Sequence, residues 1–507
     1  MPLDIATNNK RLMHNTLMLY LRMFILMGIS LYTSRVILEA LGVEDYGIYN
    51  VVGGIVVLFV FINNAMVSAT QRFLNFELGR QNLSEMSRVF SMSLNVHILI
   101  AILIVILGET IGLYLFYNYI KIPQGREVAA QIVFQLSIVA TAISIIRAPY
   151  NAVVIAYERM SVYAYISVFE AFTKLAIAFA LLYYGGDKLI LYALLILGVT
   201  LCVSLFYYVY DRIKFPISKY IRFWDKDLFK RLTSFSGWSM FGSISLTGAY
   251  QAVSIVQNYY GGVLVNAAMA IANQVSGAVS GFSGNFQMAF NPQITKYYAA
   301  EEYDNLRRLT YMATKTSFFL VWIFALPIIV SCQCLLQLWL NEVPEYSVKF
   351  CQWIMLCSIF DAISAPLWMN VYATGKIKTY QIYVSIIILL NLPLSIIVLH
   401  FGLPSESVLI VRFAILSFLF FDRSLYLKRR NFIQFGSYLR EAILPIIIVS
   451  ILSTLVSIVI ISMFDNYIIR TIGIFILSIF IILLMGFSRK EKRSLLGMVL
   501  RKQRCKV

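Results

Sequence analysis

The stretch Ile98-Leu-Ile-Ala-Ile-Leu-Ile-Val-Ile-Leu107 carries no polar side chain at all. A second, Ile474-Phe-Ile-Leu-Ser-Ile-Phe-Ile-Ile-Leu-Leu484, is broken only by one serine, and Ile386–Leu390 belongs to a third. Strands of a membrane barrel alternate apolar and polar residues over about ten positions. These runs do not alternate. Each lies inside an apolar segment near the roughly 20 residues that a helix needs to cross a bilayer. The reading is a membrane-spanning helix, and it extends along the chain. Of 507 residues, 60% are hydrophobic and 13% charged, about half the charge density of a soluble domain. So few charges cannot cover a water-facing surface, which excludes a soluble enzyme, a disordered chain and a secreted disulfide scaffold.

Fourteen spans follow, over residues 12–38, 47–73, 89–117, 127–153, 160–184, 188–210, 234–258, 264–291, 309–339, 347–374, 378–401, 405–427, 439–463 and 467–487. The first is too long for a signal-peptide core. Lys10 and Arg11 precede it with no small-residue cleavage site after it, so it is expected to stay in the mature protein. With the N-terminus inside, the inner segments hold 32 Lys and Arg. The outer segments hold six: Arg35, Lys121, Arg126, Lys188, Lys349 and Arg470. Positive charge collects on the cytoplasmic side, so both termini are expected there. The net charge of +17 therefore belongs to membrane loops, and no nucleic-acid partner is implied. The outer loops are too short to hold a soluble domain.

The longest inner connection, Asp211–Thr233, places Ile217, Ile221, Trp224, Leu228 and Leu232 at helical spacing, with Lys219, Arg222, Lys226 and Lys230 between them. This predicts a basic amphipathic helix on anionic lipid. A weak internal repeat flanks it. Ala148-Pro149 recurs as Ala365-Pro366, Gly185 as Gly402, and the turn Gly42-Val43 as Gly262-Val263. Equal orientation of the matching spans predicts a parallel repeat. The organisation read is a lobe over 1–211, a linker over 212–233, a second lobe over 234–430, and two further spans with a basic tail over 431–507. The expected fold is an all-α polytopic membrane protein of about fourteen helices. It would have two six-helix lobes around a central cavity and two C-terminal helices.

Charge is expensive inside a bilayer, and such residues face a wet cavity or a partner. Arg22, Lys174 and Arg412 lie deep in spans, with Asp361 in span ten, Glu170 one turn before Lys174, and Arg35, Arg72 and Arg147 toward span ends. We take Arg22, Arg412, Lys174, Arg35, Arg72 and Arg147 as candidate substrate-binding cations. Asp361 and Glu170 are candidate ion-coupling carboxylates. Glu170 and Lys174 can equally pair with each other, and Arg35 and Arg72 can snorkel to headgroups. His97 reads as a hydrogen-bonded core residue. A cationic site suits an anionic guest, and guanidinium offers diphosphate paired donors in one plane. Spans seven and eight add Gln251, Gln257, Asn258, Asn273, Gln274, Asn285, Gln287 and Asn291, apt for sugar hydroxyls or for bonds between helices. The six cysteines show no metal-ligand spacing and read as small apolar residues of membrane helices, with a bridge between Cys334 and Cys351 across a short outer loop as the lesser alternative. No nucleophile, metal or paired-carboxylate constellation suggests catalysis.

The chain resembles the polysaccharide flippases of the multidrug/oligosaccharidyl-lipid/polysaccharide exporter superfamily, over essentially its whole length. The residues that carry this are Leu41-Gly42-Val43-Glu44-Asp45-Tyr46-Gly47-Ile48-Tyr49 after span one, Arg147-Ala148-Pro149-Tyr150 ending span four, and the basic connection before Phe235-Ser236-Gly237-Trp238. The resemblance implies alternating access, a cavity lined by basic residues, and an undecaprenyl-diphosphate-linked oligosaccharide as cargo in the bacterial inner membrane. Partners would be the lipid bilayer, the lipid-linked oligosaccharide, and the polymerase and glycosyltransferases of the pathway. No cofactor is implied, and coupling to Na⁺ or H⁺ stays open. Drug exporters of the superfamily typically stop at twelve helices and place an acidic residue in span one, where this chain has Arg22 and no carboxylate before Glu39. A peptidoglycan-precursor flippase, a cation-coupled multidrug exporter, and a membrane polymerase or ligase are the alternatives.

Overall fold

The computed structural model describes residues 5–119, 122, 124–339, 343–464, 466–488 and 491–492. The side chains of 5–13, 50–64 and 261–264, and those at positions 31, 34, 35, 38, 43, 44, 47, 115, 119, 251, 255, 258, 266, 267 and 270, Arg35, Gln251 and Asn258 among them, lie outside the described residues. Among the described residues every regular element is helical. The helices are α1 (Ile5–Gly79), α2 (Leu83–Leu107), α3 (Leu113–Tyr119), α4 (Glu127–Ala156), α5 (Met160–Leu182), α6 (Lys188–Lys214), α7 (Lys226–Ala299) and α8 (Tyr303–Trp339). Then come α9 (Ser347–Ala373), α10 (Lys378–Leu389), α11 (Asn391–His400), α12 (Ser407–Arg429), α13 (Phe435–Tyr438), α14 (Leu444–Met463) and α15 (Tyr467–Ile481). Single π-turns join α2 to α3 and α13 to α14, and one extends α15.

Helix α1 covers 75 residues, which would run about 110 Å if straight, far more than a bilayer. It is two spans. Gly42, at φ 78° and ψ 170°, turns the chain where no helical residue fits; only glycine takes that conformation without strain. Helix α7 is equally long, at 74 residues. Tyr250 and Asn273 line one cavity, yet on a straight helix they would stand about 34 Å apart. The chain therefore folds back between Tyr250 and Asn273. Among the described residues, nine helical segments from Leu83 to Gly486 are long and apolar enough to cross a membrane. With α1 and α7 counted twice and the more charged α12 added, the described residues hold the fourteen spans expected.

The chain divides into two compact units, one of residues 15–240 and one of the described residues from Phe241 onward. In the first, α4 packs between α2 and α6. Its core joins Phe116, Val133, Phe134, Leu189 and Ala193. Gly108 lets the Ile138 side chain lie against the backbone: a methyl there would stand 2.7 Å from Cδ1. In the second unit α9 packs between α8 and α12, around Phe318, Phe350, Met355, Leu367 and Tyr438. The buried Trp322 indole donates to Ser453 Oγ at 2.8 Å, so its one donor is satisfied. Helix α9 is the enclosed element of this unit, 72% of its apolar window being buried against 17% for α15. Ile472, Ile476 and Phe480 are exposed along one face of α15, and Leu483 of the π-turn after it is exposed too. In water that face would be unstable; in a bilayer it is solvated.

The connection Asp211–Thr233 is not the amphipathic helix that its spacing predicts. Helix α6 continues to Lys214, a 3₁₀ turn covers Pro216–Ser218, and the chain is extended until Lys226 starts α7. The reason is competition for backbone partners. Ile221 N–H donates to Ser91 Oγ at 3.0 Å, Asn95 Nδ2 donates to the Phe223 carbonyl at 3.0 Å, and Tyr220 OH donates to Asn95 Oδ1 at 3.1 Å. Helix α2 supplies what a helix would have supplied internally, and Asp225 then caps α7 through the amides of Asp227 and Leu228. The bridge between Cys334 and Cys351 is also absent: Cys202, Cys332, Cys334, Cys351 and Cys357 are free thiols.

Candidate functional site

The two halves of α7, with α11 and α12, build a cavity of about 280 Å³ in the second unit. Tyr250, Ser254 and Gln257 line it from α7, at a spacing that puts them on one helix face. Asn273 comes from the returning half of α7, Asn391 opens α11, and Arg412 sits just over one turn into α12. Val253, Val408 and Leu409 complete the wall. The site is thus an apolar shell with a few converging polar groups, the usual form of a small-molecule site.

Arg412 lies flat against Tyr250, its Cζ 3.9 Å from the ring centroid. Its Nη2 stands 3.8 Å from Asp361 Oδ2, at the outer limit of an ion pair. Its Nε has no hydrogen-bond partner. Stacking occupies the face of the guanidinium and leaves donors at its edge. Arg412 and Asp361, which lie 51 positions apart in the sequence, are therefore neighbours. Asp361 is half exposed. Gln257, by contrast, is buried at the cavity wall with neither amide atom bonded.

The candidate residues of the first unit gather around a different centre. Arg22 lies over the Tyr163 ring at 4.4 Å, and its Nε is unbonded. Arg147 lies 5.9 Å from the Tyr207 ring. Tyr207 is within electrostatic reach of Arg22, Arg147, Glu170 and Tyr163. Glu170 accepts a 2.7 Å hydrogen bond from Lys174 Nζ one turn on, so this pair is made within α5. Arg72 lies against the rings of Phe73 at 4.6 Å and Phe76 at 4.7 Å. The Arg35 side chain lies outside the described residues. His97 is buried, and its Nδ1–H donates to the Ser93 carbonyl at 2.8 Å.

Two charge clusters escape sequence reasoning. Lys315, inside α8 and buried, donates to Glu491 Oε2 at 2.7 Å across 176 positions. Arg126 donates to both Asp45 and Asp187. Asp187 also caps α6 through the amides of Leu189 and Ile190. Partial burial works against the Asp187 charge, but the Arg126 bond and these amides outweigh it and hold its carboxyl below the usual range. The bond to Asp187 in turn holds the Arg126 guanidinium more firmly charged.

Residues 239–397, which carry most of the cavity, match the MatE family model. No curated protein matches the sequence. Among solved structures, the chain is similar to an outward-facing multidrug resistance MATE family transporter of the MOP superfamily. The TM-score is 0.71 at 13% identity, over 85% of this chain and 98% of that one. It is similar to MATE in the bent conformation at a TM-score of 0.69 and 12% identity, over 85% and 98%. It is also similar to a MOP superfamily transporter from Pyrococcus furiosus, described as having a binding pocket of reverse polarity. That TM-score is 0.65 at 14% identity, over 84% and 96%. At these identities the likeness is one of fold. The chain is an all-α, multi-pass membrane protein with the fold of the MATE transporters.

Proposed function

We propose that this protein is a transporter, not an enzyme, which turns undecaprenyl-diphosphate-linked oligosaccharides from the inner to the outer leaflet of the bacterial inner membrane by alternating access. The observation that carries the reading is Arg412: a guanidinium at a polar cavity, stacked on Tyr250 with edge donors to spare. Planar paired donors fit a diphosphate better than they fit a cationic drug. Arg22, near Arg147 in the first unit, adds a second cationic centre. Fold alone does not fix cargo. The Pyrococcus furiosus relative is itself described as having a different function suggested by its pocket polarity.

A second reading, a cation-coupled multidrug exporter, is favoured by one observation. The Asp361 carboxylate is half exposed and only loosely held by Arg412. Deleting the chromosomal copy separates the two. Lipid-linked repeat units accumulating in the inner leaflet support the flippase. Normal glycans with lost drug efflux overturn it in favour of the exporter.

A further inference from the structure

Gln257 is 1% exposed, lines the cavity, and has no partner for either Oε1 or Nε2. Buried amides are almost always bonded, and one that is not carries a standing penalty that a ligand can remove. We propose that Gln257 recognises a sugar of the cargo, holding two adjacent hydroxyls in the same cavity whose other end, at Arg412, takes the diphosphate. This rests on the flippase reading.

The chemistry selects the ligand. A primary carboxamide presents an acceptor and a donor side by side. A vicinal diol answers both, one hydroxyl donating to Oε1 while its neighbour accepts from Nε2. A phosphate has only acceptors at full ionisation and leaves Oε1 unpaired. An ammonium has only donors and leaves Nε2 unpaired. A trans acetamido group points its N–H and C=O in opposite directions and answers one of the two. A lipid tail answers neither. Hydroxyl-rich cargo is the class that removes the whole penalty.

Position agrees. Gln257 follows Tyr250 by seven residues, so it lies on the same helix face about 10 Å along the axis. Tyr250 is the ring that carries Arg412. Ser254, between them on that face, also lines the cavity. Asn391 lines it as well, but its Oδ1 already accepts from Ser395, so it is held where Gln257 is not. A diphosphate at Arg412 therefore places the saccharide attached to it along a strip that ends at the unbonded amide.

The test is equilibrium binding to the full-length protein in nanodiscs. Two probes are compared, bare polyprenyl diphosphate and polyprenyl diphosphate carrying one hexose with a free vicinal diol. The wild type should prefer the glycosylated lipid by about tenfold, which is about 1.4 kcal/mol. Gln257→Leu, close in shape and without the polar pair, should bring that ratio to near one, and Gln257→Glu, which offers only acceptors, should lower it. Arg412→Ala should weaken both lipids while the ratio survives. Folding is checked independently: Gln257→Leu removes an unbonded buried amide and should melt no lower than wild type. A ratio that persists in Gln257→Leu overturns the inference, and so does a wild type that binds the two lipids equally. A wild type that binds neither lipid overturns the flippase reading, and the inference with it.

Discussion

Arg126 donates a 2.7 Å hydrogen bond to Asp187, and its other edge grips Asp45. One guanidinium thus ties the chain just past the Gly42 turn to the cap of α6. The cap and the ion pair share a carboxylate, and the ion pair depends on its charge.

The carboxyl of Asp187 is held below its ordinary value. Its contribution to stability is therefore complete above the unfolded value of about 3.9 and is lost as pH falls through the folded one. Asp187→Asn keeps a capping side chain but removes the charge. Its melting temperature should lie below that of wild type at pH 7, by an amount matching roughly 0.2–1 kcal/mol for a part-exposed pair. The gap should narrow progressively as pH falls below about 4. Scanning fluorimetry of the detergent-purified protein reads this directly; a gap that is constant with pH means that the charge is not responsible.

Arg412→Ala should abolish glycan export while membrane insertion is retained, and Arg412→Lys should rescue it only in part. Lysine keeps the charge but loses the planar paired donors and the flat contact with Tyr250. Surface glycan and membrane-fraction protein are measured together. Normal surface glycan in the alanine variant would remove Arg412 from cargo binding.

Lys174 and Glu170 satisfy each other within α5. The charge swap Glu170→Lys with Lys174→Glu should keep most export, whereas either change alone should cost more than the pair. A double-mutant cycle on export rate checks this. If the swapped protein is as dead as Arg412→Ala, Lys174 acts on cargo and not on its neighbour.

Lys315 is 4% exposed and Glu491 28%. Breaking the pair leaves a buried ammonium without its partner, at a cost below the roughly 3–5 kcal/mol of a fully buried pair. Glu491→Gln should lower the melting temperature, and Lys315→Met with Glu491→Gln should recover part of it. An unaltered melting temperature in the single variant would show that the tie carries no stability.

The fourteen spans were legible because apolar length is a local property, and the break in α1 was legible because Gly42 sits in a run too short for anything but a turn. Arg412 was marked by its cost in a bilayer. What the sequence does not carry is who answers whom. The spacing of Ile217 to Leu232 satisfies a helical wheel, but Ser91 and Asn95 lie some 130 positions away and draw the backbone of residues 221–223 into an extended form. The sequence around Lys315 offers it no acidic neighbour, because its partner Glu491 lies 176 positions on. Gln257 stands among eight amides, and only the folded chain tells that it lines a cavity with both of its amide atoms unbonded.

The docking of that connection on α2 has a consequence for proteolysis. Lys219, Arg222 and Lys226 make it look like an open tryptic site. A protease must lift several residues of extended chain free of its neighbours before it can cut, and here the Ile221 N–H and Phe223 carbonyl are already held. Cleavage after Arg222 in membrane vesicles should therefore be slow in the native protein and quick once Ser91 and Asn95 are replaced by alanine. The rate at which the chain is nicked would then report how firmly α2 grips the connection.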